Sequence, residues 1–151
     1  MKILIDDVKH PAVITFVEEH MRKLNLLSPP ESNHYLDLEA LRKPDVTFWS
    51  VWEGEEVVGC GALKELDAES GEVKSMRTSS LHLRKGIGGQ MLQSIIRAAN
   101  ERGYQRLYLE TGSMEAFYPA QKLYKSYGFD YCEPFADYEE DPNCVFMMKK
   151  L

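Results

Sequence analysis

Leu83-Arg84-Lys85-Gly86-Ile87-Gly88-Gly89 is the stretch of this chain whose residue types and spacing point most directly to a ligand. Glycines let backbone N–H groups turn inward with no side chain in the way. A helix start immediately after them adds free N–H donors and the positive end of the helix dipole, a setting suited to phosphate. Arg84 and Lys85 add positive charge to a chain that is otherwise acidic. Two phosphate patterns are excluded. The G-x-x-x-x-G-K-[ST] loop of nucleoside triphosphatases is absent. The G-x-G-x-x-G dinucleotide turn matches at Gly86 and Gly88 but meets Met91 at its third glycine, and its loop is too long for that tight turn.

The elements around the loop must hold it in place. Ile3–Ile5 reads as a strand, and Pro11 opens an amphipathic helix with Val13, Phe16, Val17, His20, Met21 and Leu24 on one face. His20 on that face reads as a packed histidine. Ser-Pro-Pro-Glu marks a loop within Asn25–Asn33, and Tyr35–Arg42 a short second helix. Val46–Trp52 and Glu56–Leu66 form a hairpin, Gly71 marks a turn, and Glu72–Thr78 is the next strand. The period then changes: Ile87, Met91, Leu92, Ile95, Ile96 and Ala99 trace a helix that ends before Gly103. Tyr104–Thr111 alternates as a strand, Ala116–Tyr127 is a helix closed by Gly128, and Phe129–Glu133 and Val145–Lys149 are the last strands. The hairpins imply antiparallel pairing, and the helical crossovers on either side of Tyr104–Thr111 imply parallel pairing, so the expected fold is a mixed α/β sheet.

Composition narrows the class. A length of 151 residues predicts a single domain over 1–151. Hydrophobic residues at 44% and charged residues at 28% are those of a globular chain, not a disordered or membrane-spanning one. The net charge of −6 is a poor match for nucleic acid. Cys60, Cys132 and Cys144 share no metal-ligand or C-x-x-C spacing, and His10, His34 and His82 suggest no metal site, so none is expected. The N-terminal apolar run ends at Asp6-Asp7, unlike a signal peptide, and a reduced, cytoplasmic setting is expected. No G-x-S-x-G elbow supports a serine hydrolase.

With these elements in order, the chain resembles the GCN5-related N-acetyltransferase (GNAT) superfamily. That family's [QR]-x-x-G-x-[GA] loop, which wraps the pyrophosphate of acetyl-CoA, fits Leu83 to Gly88 except that Leu83 replaces Gln or Arg. Arg84, one position later, is a candidate substitute. The stretch Ala120-Gln-Lys-Leu-Tyr124-Lys-Ser-Tyr-Gly128-Phe129 matches the family's A-x-x-L-Y-x-x-x-G-F. The likeness covers nearly the whole chain, and Ser-Pro-Pro-Glu-Ser, Gly-Cys-Gly-Ala-Leu-Lys-Glu and Pro-Phe-Ala-Asp-Tyr extend it to a subgroup of small bacterial members. It implies a GNAT-like fold, a mostly antiparallel sheet flanked by about four helices, with acetyl-CoA as co-substrate and no metal. It also implies an amine acceptor and, as is frequent in the superfamily, a homodimer.

The resemblance carries residues as well. Met76 and Thr78 would offer backbone groups to the pantetheine arm, and Arg84, Lys85, Gly86, Ile87, Gly88 and Gly89 would cradle the pyrophosphate. Acetyl transfer also needs a base for the ammonium and an acid for the departing thiolate. Glu72, which matches the catalytic glutamate of the histone-acetylating branch, is the first choice of base. Glu110, at the end of the next strand, is the second. Tyr124 is the expected acid, since a phenol can donate to a thiolate. Glu31, Asp137 and Tyr138 are candidates for meeting a cationic acceptor. The expected function is therefore direct N-acetylation of a primary amine. A non-catalytic acyl-CoA-binding module of the same fold is the competing reading, left open by Leu83, and a nucleotide-binding domain is a distant third.

Overall fold

The computed structural model describes residues 1–83 and 85–151; the expectation for Arg84 lies outside the described residues. Seven strands form one sheet: β1 (Lys2–Asp6), β2 (Val46–Glu53), β3 (Glu56–Asp67), β4 (Ser70–Thr78), β5 (Arg106–Gly112), β6 (Asp130–Tyr131) and β7 (Cys144–Lys150). Their spatial order is β1-β2-β3-β4-β5-β7-β6. The helices are α1 (Pro11–Leu27), α2 (Leu38–Leu41), α3 (Ile87–Glu101) and α4 (Tyr118–Ser126).

The element order agrees with the sequence reading, but three local expectations are corrected. Gly71 is no turn: Ala68 and Glu69 make the turn, and Gly71 is buried inside β4. A Cβ there would lie 2.8 Å from Leu63 Cδ1 and 2.9 Å from Tyr104 Cε2, so its smallness admits a packed ring. The second helix shrinks to one turn, with Asp37 accepting from the Ala40 N–H as its cap. Of the crossovers, only β4–α3–β5 joins parallel neighbours. β7 inserts between β5 and β6 and runs antiparallel to both.

Strand alternation sorts the side chains into two faces. Leu63, Val73, Leu107, Leu109 and Met147 pack with Met91, Leu92 and Ile95 of α3. Val13, Val17, Leu41, Phe48, Cys60 and Ala62 make a core with α1 and α2. Phe135 and Phe146 form a third cluster, with Tyr108 and Tyr138 packed against it. Glu72 lies opposite Tyr108, and Glu110 is two residues beyond Tyr108, so both carboxylates share a face.

Candidate active site

The site begins where two parallel strands part. Pairing of β4 with β5 runs from Ser70↔Arg106 to Val73↔Leu109 and stops there. On the other edge of β4, Cys60 faces Arg77 and Ala62 faces Lys74, so two residues, Ser75 and Met76, stand against Gly61. That is a β-bulge, and its first residue, Ser75, adopts φ +57°. A non-glycine residue held there stores on the order of 1–3 kcal/mol, which the paired strands around it must offset. Gly61 makes room, since a Cβ there would lie 2.8 Å from Met91 Cγ and 3.0 Å from Met76 Sδ. The cleft thus opens because the bulge turns β4 away while β5 stays paired with β7 as far as Gly112.

A cavity of about 130 Å³ occupies the cleft, lined among others by Ser75, Met76, Glu110, Tyr124, His34 and Asn143. Burial, chiefly, pushes the Glu110 carboxyl up to about 7; the charges of Glu72 and Asp141 add to this, and the Cys144 thiol and Lys74 ammonium oppose it. Tyr124 is buried, with its ring edge-on to Phe129 at 5.9 Å. Burial and the neighbouring Glu110 charge both hold its phenol protonated well above the usual range. A carboxyl pushed up to about 7 and a phenol held protonated line one cavity, two groups whose chemistry allows one to accept and the other to donate a proton.

Glu72 sits differently. It is 2% exposed, and its Oε2 accepts from Tyr138 Oη at 2.6 Å and lies 3.2 Å from Lys74 Nζ. Lys74 Nζ donates to that same phenol oxygen at 2.8 Å and to the His34 carbonyl at 2.7 Å. Glu72 is therefore committed to a buried ion pair. It lines a second cavity, of about 360 Å³, with Glu31, Asp137, Tyr138, His34 and Asp141 among its neighbours. The three residues expected to meet an acceptor, Glu31, Asp137 and Tyr138, thus converge on one acidic hollow. His34 lines both cavities.

The glycine loop has the geometry of an anion cradle. Gly86 caps α3 with φ +77° and no side-chain hydrogen bond, and among the described residues nothing lies within 4 Å of where its Cβ would be. The N–H groups of the first turn are left to an incoming acceptor. Gly88 and Gly89 serve packing as well: a Cβ would lie 3.2 Å from Leu123 Cδ2 and 2.9 Å from Tyr127 Oη respectively. Lys85 is exposed beside the loop. Leu83, at the deviating first position of the signature, is 59% exposed. A Cβ at Gly88 would also lie 3.7 Å from Thr78 Oγ1, so the end of β4 and the start of α3 meet. These residues fit a pyrophosphate on the loop and an acyl arm running along β4 into the cleft.

Lys74 and Ser75 carry no role in the sequence reading, and His34 enters it only as a histidine without metal-site spacing. Lys74 shares the strand parity of Glu72, and that i, i+2 spacing was the available signal. Nothing in the sequence marks Ser75 as a bulge or brings His34 next to residues more than 30 positions away.

Comparison with known proteins shows the family and the fold. Residues 13–129 match the Acetyltransferase (GNAT) family. The uncharacterized N-acetyltransferase YsnE of Bacillus subtilis is 64% identical over 151 residues, which span all of both chains. A solved Klebsiella pneumoniae structure, assigned as an acyl-CoA N-acyltransferase, superposes with a TM-score of 0.80 at 25% identity, covering 99% of this chain and 97% of that one. An Elizabethkingia anophelis GNAT acetyltransferase with acetyl-CoA bound superposes with a TM-score of 0.64 at 19% identity, covering 99% and 97%; at that identity the likeness is one of fold.

Proposed function

The chain belongs to the GNAT acetyltransferase family and is an N-acetyltransferase, and from that premise we propose that it moves the acetyl group of acetyl-CoA directly to a primary amine, with Glu110 as base and Tyr124 as acid. The observation that carries this reading is the shared cavity of Glu110 and Tyr124 at the parting of β4 and β5. Acetyl-CoA supplies a thioester whose carbonyl is open to an amine. The chain supplies the rest. The N–H groups of Ile87, Gly88 and Gly89, with Arg84 and Lys85, hold the pyrophosphate. Backbone groups of Met76 and Thr78 align the arm, and a backbone N–H at the bulge polarises the carbonyl. Glu110 takes the proton of the incoming ammonium, directly or through one water. Tyr124 donates its hydroxyl proton to the departing sulfur. Much of the rate comes from holding the two reactants together.

Glu110 replaces Glu72 as the preferred base. Glu72 is already engaged by a buried ammonium and a phenol, and its proposed part is to fix Tyr138 on the acceptor side. The cysteines favour direct transfer over an acetylated enzyme. Burial pushes the Cys60 thiol up to about 12, and burial together with the Glu110 and Asp141 charges holds the Cys144 thiol protonated. No ready thiolate nucleophile results. The acidic hollow of Glu31, Asp137 and Tyr138 suits a cationic amine acceptor. Three free thiols suit a reducing, cytoplasmic compartment. No helix among the described residues is long and apolar enough to cross a membrane.

The test is thermal melting with acetyl-CoA, ATP or NAD, followed by thiol release against amino acids, polyamines, aminoglycosides and peptide amines. A midpoint raised by acetyl-CoA alone, with thiol release on one amine class, is expected. Acetyl-CoA binding without release on any of these amines would count against direct transfer by Glu110 and Tyr124.

A further inference from the structure

The wall between the two cavities holds a group of side chains that acetyl transfer does not use. His34 lies in the loop after the short 3₁₀ turn Pro30–Ser32, Asp141 in the loop before β7, and Cys144 at the first position of β7. One nitrogen, one carboxylate oxygen and one sulfur from these residues all lie within 4.8 Å of one another. We propose that His34, Asp141 and Cys144 form a binding site for a thiophilic divalent cation of the zinc class, set between the acetyl-transfer cavity and the acidic hollow.

The donor set is the first support. An imidazole, a thiolate and a carboxylate together suit zinc, and three protein ligands leave a fourth position open. Zinc bonds to these atoms span about 2.0–2.3 Å, so closing onto one ion asks each donor to move by about 1 Å or less.

The surroundings are the second support. Asp141 is oriented from both sides: Ser32 Oγ donates to Oδ2 at 2.7 Å, and the Asn143 N–H donates to Oδ1 at 2.8 Å. Such bonds leave carboxylate lone pairs free for an ion and aim them. The Cys144 N–H donates to the Asp141 carbonyl at 3.1 Å, closing the turn that brings the two ligands together. The His34 ring sits edge-on against Tyr138 at 5.0 Å. The carboxylates of Glu72 and Glu110 flank the cluster, and Lys74 is the cation bound to this wall.

The placement gives such an ion a consequence. His34 and Asn143 line the smaller cavity, and His34 and Asp141 line the larger, so the open position faces the path an acceptor amine would take. Binding forms a sulfur–metal bond at Cys144 and releases the thiol proton to solvent, so affinity rises with pH. The same step removes the hydrogen bond that the Cys144 thiol donates to the Ser32 carbonyl at 3.5 Å. An ion there blocks the acceptor, and zinc should inhibit transfer reversibly. The binding itself does not depend on the acetyl-transfer reading.

The experiment is titration of the full chain with Co²⁺, read by the thiolate-to-cobalt charge-transfer band, with Zn²⁺ as displacing ion. One equivalent per chain is expected. Cys132→Ser should keep the band, Cys144→Ser should abolish it, and His34→Ala should weaken binding at least tenfold. Melting of each metal-free variant checks folding, and Zn²⁺ should raise the melting midpoint of the wild type but not of Cys144→Ser. Absence of a thiolate band in the wild type, or its persistence in Cys144→Ser, would overturn the site.

Discussion

Tyr138 donates its hydroxyl hydrogen to Glu72 Oε2 at 2.6 Å, joining an acceptor-side loop to a central strand across 66 positions. Lys74 Nζ stands 3.2 Å from the same carboxylate and 2.8 Å from the same phenol oxygen. The three groups satisfy one another in a buried place, so removing one leaves two unmatched. Tyr138→Phe should lower stability by about 1–3 kcal/mol, the usual cost of an unsatisfied buried polar group. It should raise KM for the amine more than it lowers kcat. Denaturant unfolding and initial rates check both parts; a kcat collapse with unchanged KM would count against the positioning role.

Glu110→Gln tests the base. General-base catalysis typically contributes about 10²–10⁴-fold, and a loss in that range is expected in kcat. In the wild type the active form is the carboxylate, so the rate should rise with pH and level off above about 7. The variant should lack that limb. If Glu72→Gln removed the limb and Glu110→Gln did not, the order of the two carboxylates would revert to Glu72 first.

The same residue should weaken the fold where it works best. Its carboxyl titrates near 7 when folded and near 4.5 when unfolded. Between those values the native state binds more protons, so stability falls as pH rises from about 4.5 to 7 and stays lower above. Glu110→Gln should therefore be more stable than wild type at pH 8, on the order of 3 kcal/mol, with the gain shrinking toward pH 4. Melting curves at the two pH values give the answer.

Gly86 holds φ +77° at the start of α3. Among the described residues nothing lies within 4 Å of an alanine Cβ there, but alanine does not favour the conformation. Gly86→Ala should cost about 1 kcal/mol of stability and weaken acetyl-CoA binding by re-aiming the first N–H groups of the helix. Isothermal titration with CoA measures this, and unchanged affinity would remove the loop from the proposed cradle.

Much of this molecule was legible in its order of residues. Periodicity located the helix at Ile87, glycines ended α3 and α4, and the spacing of Gly86 from Tyr124 and Gly128 carried the family likeness, because these are local patterns that a backbone must obey. Gly71 misled because a glycine that admits a ring looks, in sequence, like a glycine that makes a turn. The choice between Glu72 and Glu110 was not legible at all. Both are strand glutamates on one face, and they differ in what surrounds them: Lys74 and Tyr138 arrive at one, while buried surface and like charge surround the other. His34, Asp141 and Cys144 are likewise brought within 4.8 Å only by the packing of two loops against β7. The sequence by itself determined the elements and the chemical inventory, since those follow from local periodicity and residue type. The tertiary structure decided what surrounds each carboxyl and which side chains meet, because burial and charge proximity are properties of the packed chain.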